Sequence, residues 1–213
     1  MVQSFLLIDS SYNECVSFNQ NWVIGELSMA INLSKGQRVD IGLTKVGIGL
    51  GWDPNSGSSV HDFDLDASAF MVAKTGKIPR DEFFVFYNNL LSPDGAVRST
   101  GDDRTGGSSD GDDETLLVDL EVVDGSVDQI IFCVSIHEAE ARRQNFGQVR
   151  ASFVRIYDQV SAEEIAKYEL EEDFSIESVI EFGRLYRRGG AWRFEAMGIG
   201  HQGGLNSLLQ KYT

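Results

Sequence analysis

HDFDLDASAFMVA, residues 61–73, carries the pattern that decides the fold. In an extended chain successive side chains point to opposite faces. Asp62, Asp64 and Asp66 then share one face, and Phe63, Leu65 and Ala67 share the other. The apolar face fits a core, and over 65–73 the run is apolar on both faces. The acidic face is the difficulty. Three like charges stand in a row, each close pair costing on the order of 1 kcal/mol in water and more at lower effective dielectric. Asp is also a poor strand former. The segment breaks local rules unless a cation sits beside it, and such violations are expected at functional sites.

Outward from this stretch, short β-like runs alternate with turn signals. Upstream, 29–43 reads as strand, Ser-Lys-Gly turn and strand, and 46–52 is glycine-rich. Downstream, strands are expected at 83–87, 119–123, 129–136, 151–157 and 165–170, the last with Ala166, Tyr168 and Leu170 on one face. A terminal hairpin is expected from 178–187 and 191–197 around Arg188-Gly189-Gly190. Helix signals are few: a short crossover at 137–146 and a terminal helix at 205–212. Ser161 and Glu164 match a capping box, yet the residues after them alternate, so a turn entering a strand is expected. Many short strands with frequent turns predict an all-β protein, a β-sandwich with short connecting helices.

The core domain is expected over 29–213. Residues 1–28 are weakly patterned and read as an N-terminal extension, either an arm or the product of an upstream start codon. No apolar run approaches the length needed to span a bilayer, and the N-terminus lacks the basic region of a secretory signal, so a cytoplasmic location is expected. The two cysteines, Cys15 and Cys133, argue against a disulfide framework or a thiolate metal site. Acids outnumber bases by 33 to 18, for a net charge of −15, a field that repels nucleic acid, anionic membranes and oxyanions and attracts cations.

The acids crowd into two segments. The second is GDDRTGGSSDGDDE, 101–114, with six carboxylates (Asp102, Asp103, Asp110, Asp112, Asp113, Glu114) among four glycines. Glycine lets the backbone turn tightly and aim carbonyls inward. Asn88 and Asn89 add amide oxygens. Many hard oxygens suit calcium, which takes six to eight in a tolerant geometry; magnesium uses fewer carboxylates, and zinc prefers the scarce Cys and His. An EF-hand is excluded by spacing. With Asp62 as first ligand, Ala67 stands at the required glycine and Ala73 at the final glutamate. A calcium site of another kind, pooling both clusters, is the expectation. The bland alternative is a solvated acidic loop.

At these residues the chain resembles the TerD family of tellurium-resistance and stress proteins. The matching stretches are GLGWDPN (49–55), DFDLDASAF (62–70), FVFYNN (84–89), the acidic loop (101–114), IHEAEARRQNFGQV (136–149), LYRRGGAWRFEAMGIG (185–200) and GGL (203–205). The resemblance covers nearly all of 29–213 and leaves out 1–28. It implies a β-sandwich whose acidic motifs together bind Ca2+, commonly two ions. By position the implied ligands are Asp62, Asp64, Asp66, Asn88, Asn89, Asp102, Asp110, Asp112, Asp113 and Glu114, some of them through backbone carbonyls. Asp103 stands where family members more often have Asn in a GDN motif, and it can still donate an oxygen. The resemblance also implies paralogous TerD-type partners and association with a TerC-type membrane protein.

Two functional classes follow. One is a calcium-binding stress-response module, not an enzyme, acting through protein contacts. The other is a metal-dependent hydrolase or phosphoryl-binding enzyme using the same carboxylates, for which Arg104 is the evident electrophilic partner. The sequence favours the first. The segment 137–146 lacks a nucleophile and reads as a connecting helix whose arginines pair with surface acids. His61 reads as hydrogen-bonded support beside the acids. Direct tellurite reduction is disfavoured because no paired low-pKa thiol motif is present.

Overall fold

Period-two alternation of apolar residues builds two stacked sheets. The computed structural model describes residues 31–32, 34–54, 61–101, 103–107, 111–170 and 174–213. The expected extension at 1–28 lies outside the described residues, as do Asp102 and Asp110.

The first sheet runs β1 (Ile31–Asn32), β10 (Glu164–Glu169), β9 (Phe153–Asp158), β3 (Lys45–Gly51), β7 (Glu114–Asp119) and β6 (Val97–Ser99). The second runs β2 (Arg38–Asp40), β12 (Ala191–His201), β11 (Val179–Arg188), β8 (Gln129–Ile136), β4 (Leu65–Val72) and β5 (Phe84–Val85). Pairing is antiparallel throughout except for β1 on β10. Among the described residues the two short α-helices are α1 (Ala139–Arg142) and the terminal α2 (Gly204–Tyr212). The all-β sandwich with short connecting helices is the observed fold.

The main core lies between the sheets. Ile48, Leu50, Val154 and Ile156 from the first meet Leu65, Ala67, Met71 and Phe132 from the second. Each large aliphatic side chain removed from water there contributes about 1.5–3 kcal/mol. The opposite face of β4 has its own cover. Phe70 and Val72 pack with Ile131, Cys133, Leu208 and Tyr212 in a second cluster beneath α2. Hence the run is apolar on both faces, and Cys133 is a buried small hydrophobe, as expected.

On the outer face of β3 the glycines make room. A β-carbon at Gly47 would collide with the Tyr157 ring, and one at Gly49 with the Asp112 carboxylate.

Several sequence expectations shift. The strand expected to include 62–64 begins at Leu65, because those residues run beside the sheet with their carbonyls held by side chains and by the α1 region. The expected strand at 119–123 is displaced to Glu114–Asp119, where Leu116 and Val118 supply the buried alternation. The aromatic run at 83–87 is a 3-10 turn (Asp81–Phe83) followed by the two residues of β5. The crossover at 137–146 yields only the short α1, because Glu138 (φ 52°) and Arg143 (φ 55°) take left-handed conformations at its two ends. The terminal helix and the hairpin form as expected. No helix among the described residues is long and apolar enough to cross a membrane.

Candidate functional site

The entry to β4 is clamped from three sides. Trp52 Nε1 donates to the Phe63 carbonyl at 3.1 Å. Gln144 Nε2 donates to the carbonyls of His61 (3.0 Å) and Asp62 (3.3 Å), and the His137 amide donates to that of Asp64 (2.8 Å). Phe63, Leu65 and Ala67 enter the core, so the alternation turns Asp62, Asp64 and Asp66 to the other side. Asp62 is exposed, whereas Asp64 and Asp66 are 7% and 4% exposed.

A guanidinium and an imidazole face the buried pair. Arg142 Nη1 lies 3.6 Å from Asp64 Oδ2, and His137 Nδ1 lies 3.6 Å from Asp66 Oδ2. Both separations exceed good hydrogen-bond length. Arg142 also reaches Glu138 Oε2 at 3.3 Å, and Tyr87 stands edge-on to the His137 ring with centroids 5.8 Å apart.

The second acidic segment folds against the first. Glu114, 5% exposed, accepts from the Ala67 amide through Oε2 at 2.7 Å and from the Asp103 amide through Oε1 at 3.3 Å. Asp113 Oδ2 accepts from the Trp52 amide at 2.8 Å, so Trp52 ties the loop to the Phe63 carbonyl. Asp103 Oδ1 accepts from Thr105 N (2.9 Å), Thr105 Oγ1 (3.2 Å) and Gly106 N (3.0 Å). The Thr105 amide, foremost among these donors, holds the Asp103 carboxyl below its ordinary value.

The outcome is a cleft of about 440 Å³. Asp62, Asp64, Asp66 and Asn88 line it with Arg104 and Thr105 of the loop. His61, His137 and Arg142 complete the wall. Hard oxygens and cationic side chains therefore share one space.

Not every expected ligand belongs to it. Asp112 turns to the outer face of the first sheet, where Arg155 holds it through Nε (2.7 Å) and Nη2 (2.8 Å). That hydrogen-bonded pair raises the Arg155 pKa. Asn89 spends its amide nitrogen on the carbonyls of Phe84 (2.7 Å) and Glu82 (3.1 Å), pinning the turn after β5. Asp103, Asp113 and Glu114 bond the protein's own amides beside the cleft. Among the described residues no three His, Cys, Asp or Glu side chains converge as a ready-made metal cage.

Sequence reasoning missed Gln144, placed Arg142 and His137 in a surface helix, and gave Arg155 no role. The available signal for the middle two was position. The charged run 137–143 directly follows β8, and β8 pairs with β4 so that Ile136 stands opposite Leu65.

An acidic loop closed over a charged strand end, on a two-sheet scaffold, defines a β-sandwich with a ligand-accessible polar cleft. A sequence model of the TerD domain matches residues 29–212, and the chain belongs to that family. It is 51% identical over 189 residues to tellurium resistance protein TerD of Alcaligenes sp, covering 86% of this chain and 97% of that protein. It is 48% identical over 189 residues to general stress protein 16U of Bacillus subtilis (strain 168), covering 86% of this chain and 97% of that one. Neither relative's name denotes an enzymatic activity. The solved structure of a homologue of telluride resistance protein (TerD) from Streptomyces coelicolor A3(2) has the same fold. Its TM-score is 0.67 at 22% identity, over 79% of this chain and 96% of that one.

Proposed function

We propose that this chain is a calcium-binding stress-response protein that contributes to tellurite and chemical-stress resistance through protein contacts rather than catalysis. One observation carries the reading: Asp62, Asp64, Asp66 and Asn88 line one cleft, with Arg104 and Thr105 of the second acidic segment on its wall. The donor chemistry fits a hard cation, since carboxylate and amide oxygens are what calcium takes and among the described residues no cysteine lines the cleft. Asp64 and Asp66 would exchange Arg142 and His137, each at 3.6 Å, for the ion. Glu114 and Asp113 would keep the loop seated against Ala67 and Trp52. The family resemblance supports a second ion, paralogous partners, a TerC-type membrane protein and a cytoplasmic location at the inner membrane through that partner.

The deciding experiment is calorimetric titration of chelator-treated protein with calcium and then magnesium. Saturable calcium binding with weaker magnesium binding is expected, and no heat with either ion would end the reading. A second reading, a phosphoryl-binding or metal-dependent hydrolytic site, is favoured by Arg104 and Arg142 lining the same cleft. A phosphatase and nucleotide screen with calcium or magnesium present tests it.

A further inference from the structure

Beside the acidic cleft lies a second, larger groove of about 630 Å³, between α1, the N-terminal half of α2 and the end of β5. Its floor is apolar. Phe84 stacks on Phe86 with ring centroids 4.4 Å apart, and Phe86 meets Tyr87 edge-on at 5.1 Å. Leu205 and Leu209 of α2 form the facing wall. They are only partly buried, although they pack on the cluster beneath the helix. β5 is the last strand of its sheet, so the groove opens at a sheet edge rather than under a neighbouring strand.

The charge of the rim identifies the occupant. Asp66, Glu138, which also pairs with Arg142, and Glu140 line the groove, and among the described residues no lysine or arginine does. Residues 1–30 of the chain contain no lysine or arginine, so the N-terminal segment offers the rim no side-chain cation. A second copy of the chain, with a net charge of −15, is repelled overall. We infer that this groove docks a segment of another protein in which apolar anchors alternate with lysine or arginine. The apolar side chains would cover the Phe84–Phe86 floor and the two leucines, and the cations would meet the acidic rim. Electrostatic complementarity of this kind speeds encounter and rejects acidic competitors. The inference rests on the reading that the chain works through protein contacts, and it supplies the surface for them. Asp66, Tyr87 and His137 line both the groove and the cleft, so the two sites share a wall.

The test uses the full chain in chelator and a fluorescein-labelled synthetic peptide of alternating lysine and leucine, read by anisotropy. Binding is expected to fall about tenfold or more when glutamate replaces lysine in the peptide or serine replaces leucine, a change of roughly 1.4 kcal/mol. Glu138→Lys with Glu140→Lys should weaken it by about tenfold, and Glu140→Lys alone, which leaves the Glu138–Arg142 pair intact, by about threefold. Glu121→Lys with Glu163→Lys changes net charge equally at exposed positions outside the groove and should leave affinity within about twofold. Equal losses from both double variants would mean attraction to the overall negative field and would overturn the groove. So would equal binding of the glutamate peptide. Calcium calorimetry on the same sample is a separate readout, so the groove and the cation site can each fail alone.

Discussion

Two buried carboxylates on the outer face of the second sheet have opposite fates. Glu181 on β11 stands opposite Cys133 of β8, and Asp66 on β4 stands opposite Ser135 of the same strand. Glu181 is 0% exposed beneath α2, with His201 Nε2 and Lys211 Nζ each 2.6 Å from Oε1 and Tyr212 Oη 2.5 Å from Oε2. Asp66 is nearly as buried, at 4%. Yet it lines an open cleft and faces His137 across 3.6 Å. The difference is the helix. Where α2 covers the sheet, it brings short, charge-assisted donors and makes the carboxylate part of the scaffold. Where α2 stops, the carboxylates stay at a solvent-accessible wall where partners can be exchanged.

Breaking the covered half should have the largest effect. Glu181→Ala removes the acceptor shared by buried Tyr212, partly buried His201 and exposed Lys211; the hydrogen bond to Tyr212 alone is worth about 1.5–3 kcal/mol, and the two more solvent-exposed partners add to it. Urea denaturation should show that loss, together with weaker protection of α2 amides from exchange. A loss under about 1 kcal/mol would mean that Glu181 is not what seats the helix.

The open half should respond to ligand instead. At free calcium a hundredfold above Kd, stability should rise by about 2.7 kcal/mol, and chelator should reverse it. Asp64→Asn should remove most of that gain while leaving the chelator melt close to that of the parent. Equal melts with calcium and with chelator would collapse the contrast between the two regions.

How much of this contrast was legible follows from the range of the interactions. FDLDA announced its two faces through the local period of the strand, and Arg188-Gly189-Gly190 announced the hairpin through turn chemistry. Both survive in the fold. Glu181 gave no such signal. In VIEFGRLYRR it reads as one polar member of an alternating strand, and only the docking of Lys211 and Tyr212, 30 and 31 residues away, makes it buried. Arg155 and Asp112 lie 43 residues apart, and nothing in the spacing separates Asp112 from its acidic neighbours. The strand Glu114–Asp119 was hidden for a related reason. Its first residue looks like the end of an acidic loop, because the backbone amides that Glu114 accepts from come from Ala67 and Asp103.

Tyr212 gives the scaffold a pH signature. Burial, then its hydrogen bond to Glu181, pushes its phenol well above the ordinary value of 10. A raised folded-state pKa contributes stability that is fully present below the unfolded value and is lost as pH rises toward the folded one. Stability should therefore fall above about pH 10 in the parent, and Tyr212→Phe should flatten that decline. At neutral pH the same variant loses a hydrogen bond to a charged group, about 1.5–3 kcal/mol. Parallel alkaline decline in parent and variant would detach Tyr212 from the effect.

Arg142 sharpens the open half. It competes with any cation for Asp64, so Arg142→Gln should tighten calcium by about fivefold, near 1 kcal/mol. If the cleft holds a phosphoryl group instead, the same substitution should weaken binding. The sign of the change therefore separates the two readings of the site.

Asp112 tests the boundary of the site, with the smallest expected change. The sequence groups it with the calcium ligands, whereas the fold gives both of its oxygens to Arg155. Asp112→Asn should lower stability through the weakened pair, yet calcium affinity should stay within about twofold, or 0.4 kcal/mol, of the parent. The chelator melt and the titration read these separately. A large loss of calcium affinity at Asp112 would show that the Arg155 pair opens to deliver its carboxylate to an ion, and the division between scaffold and exchangeable carboxylates would then have to be redrawn along the loop rather than at the edge of α2.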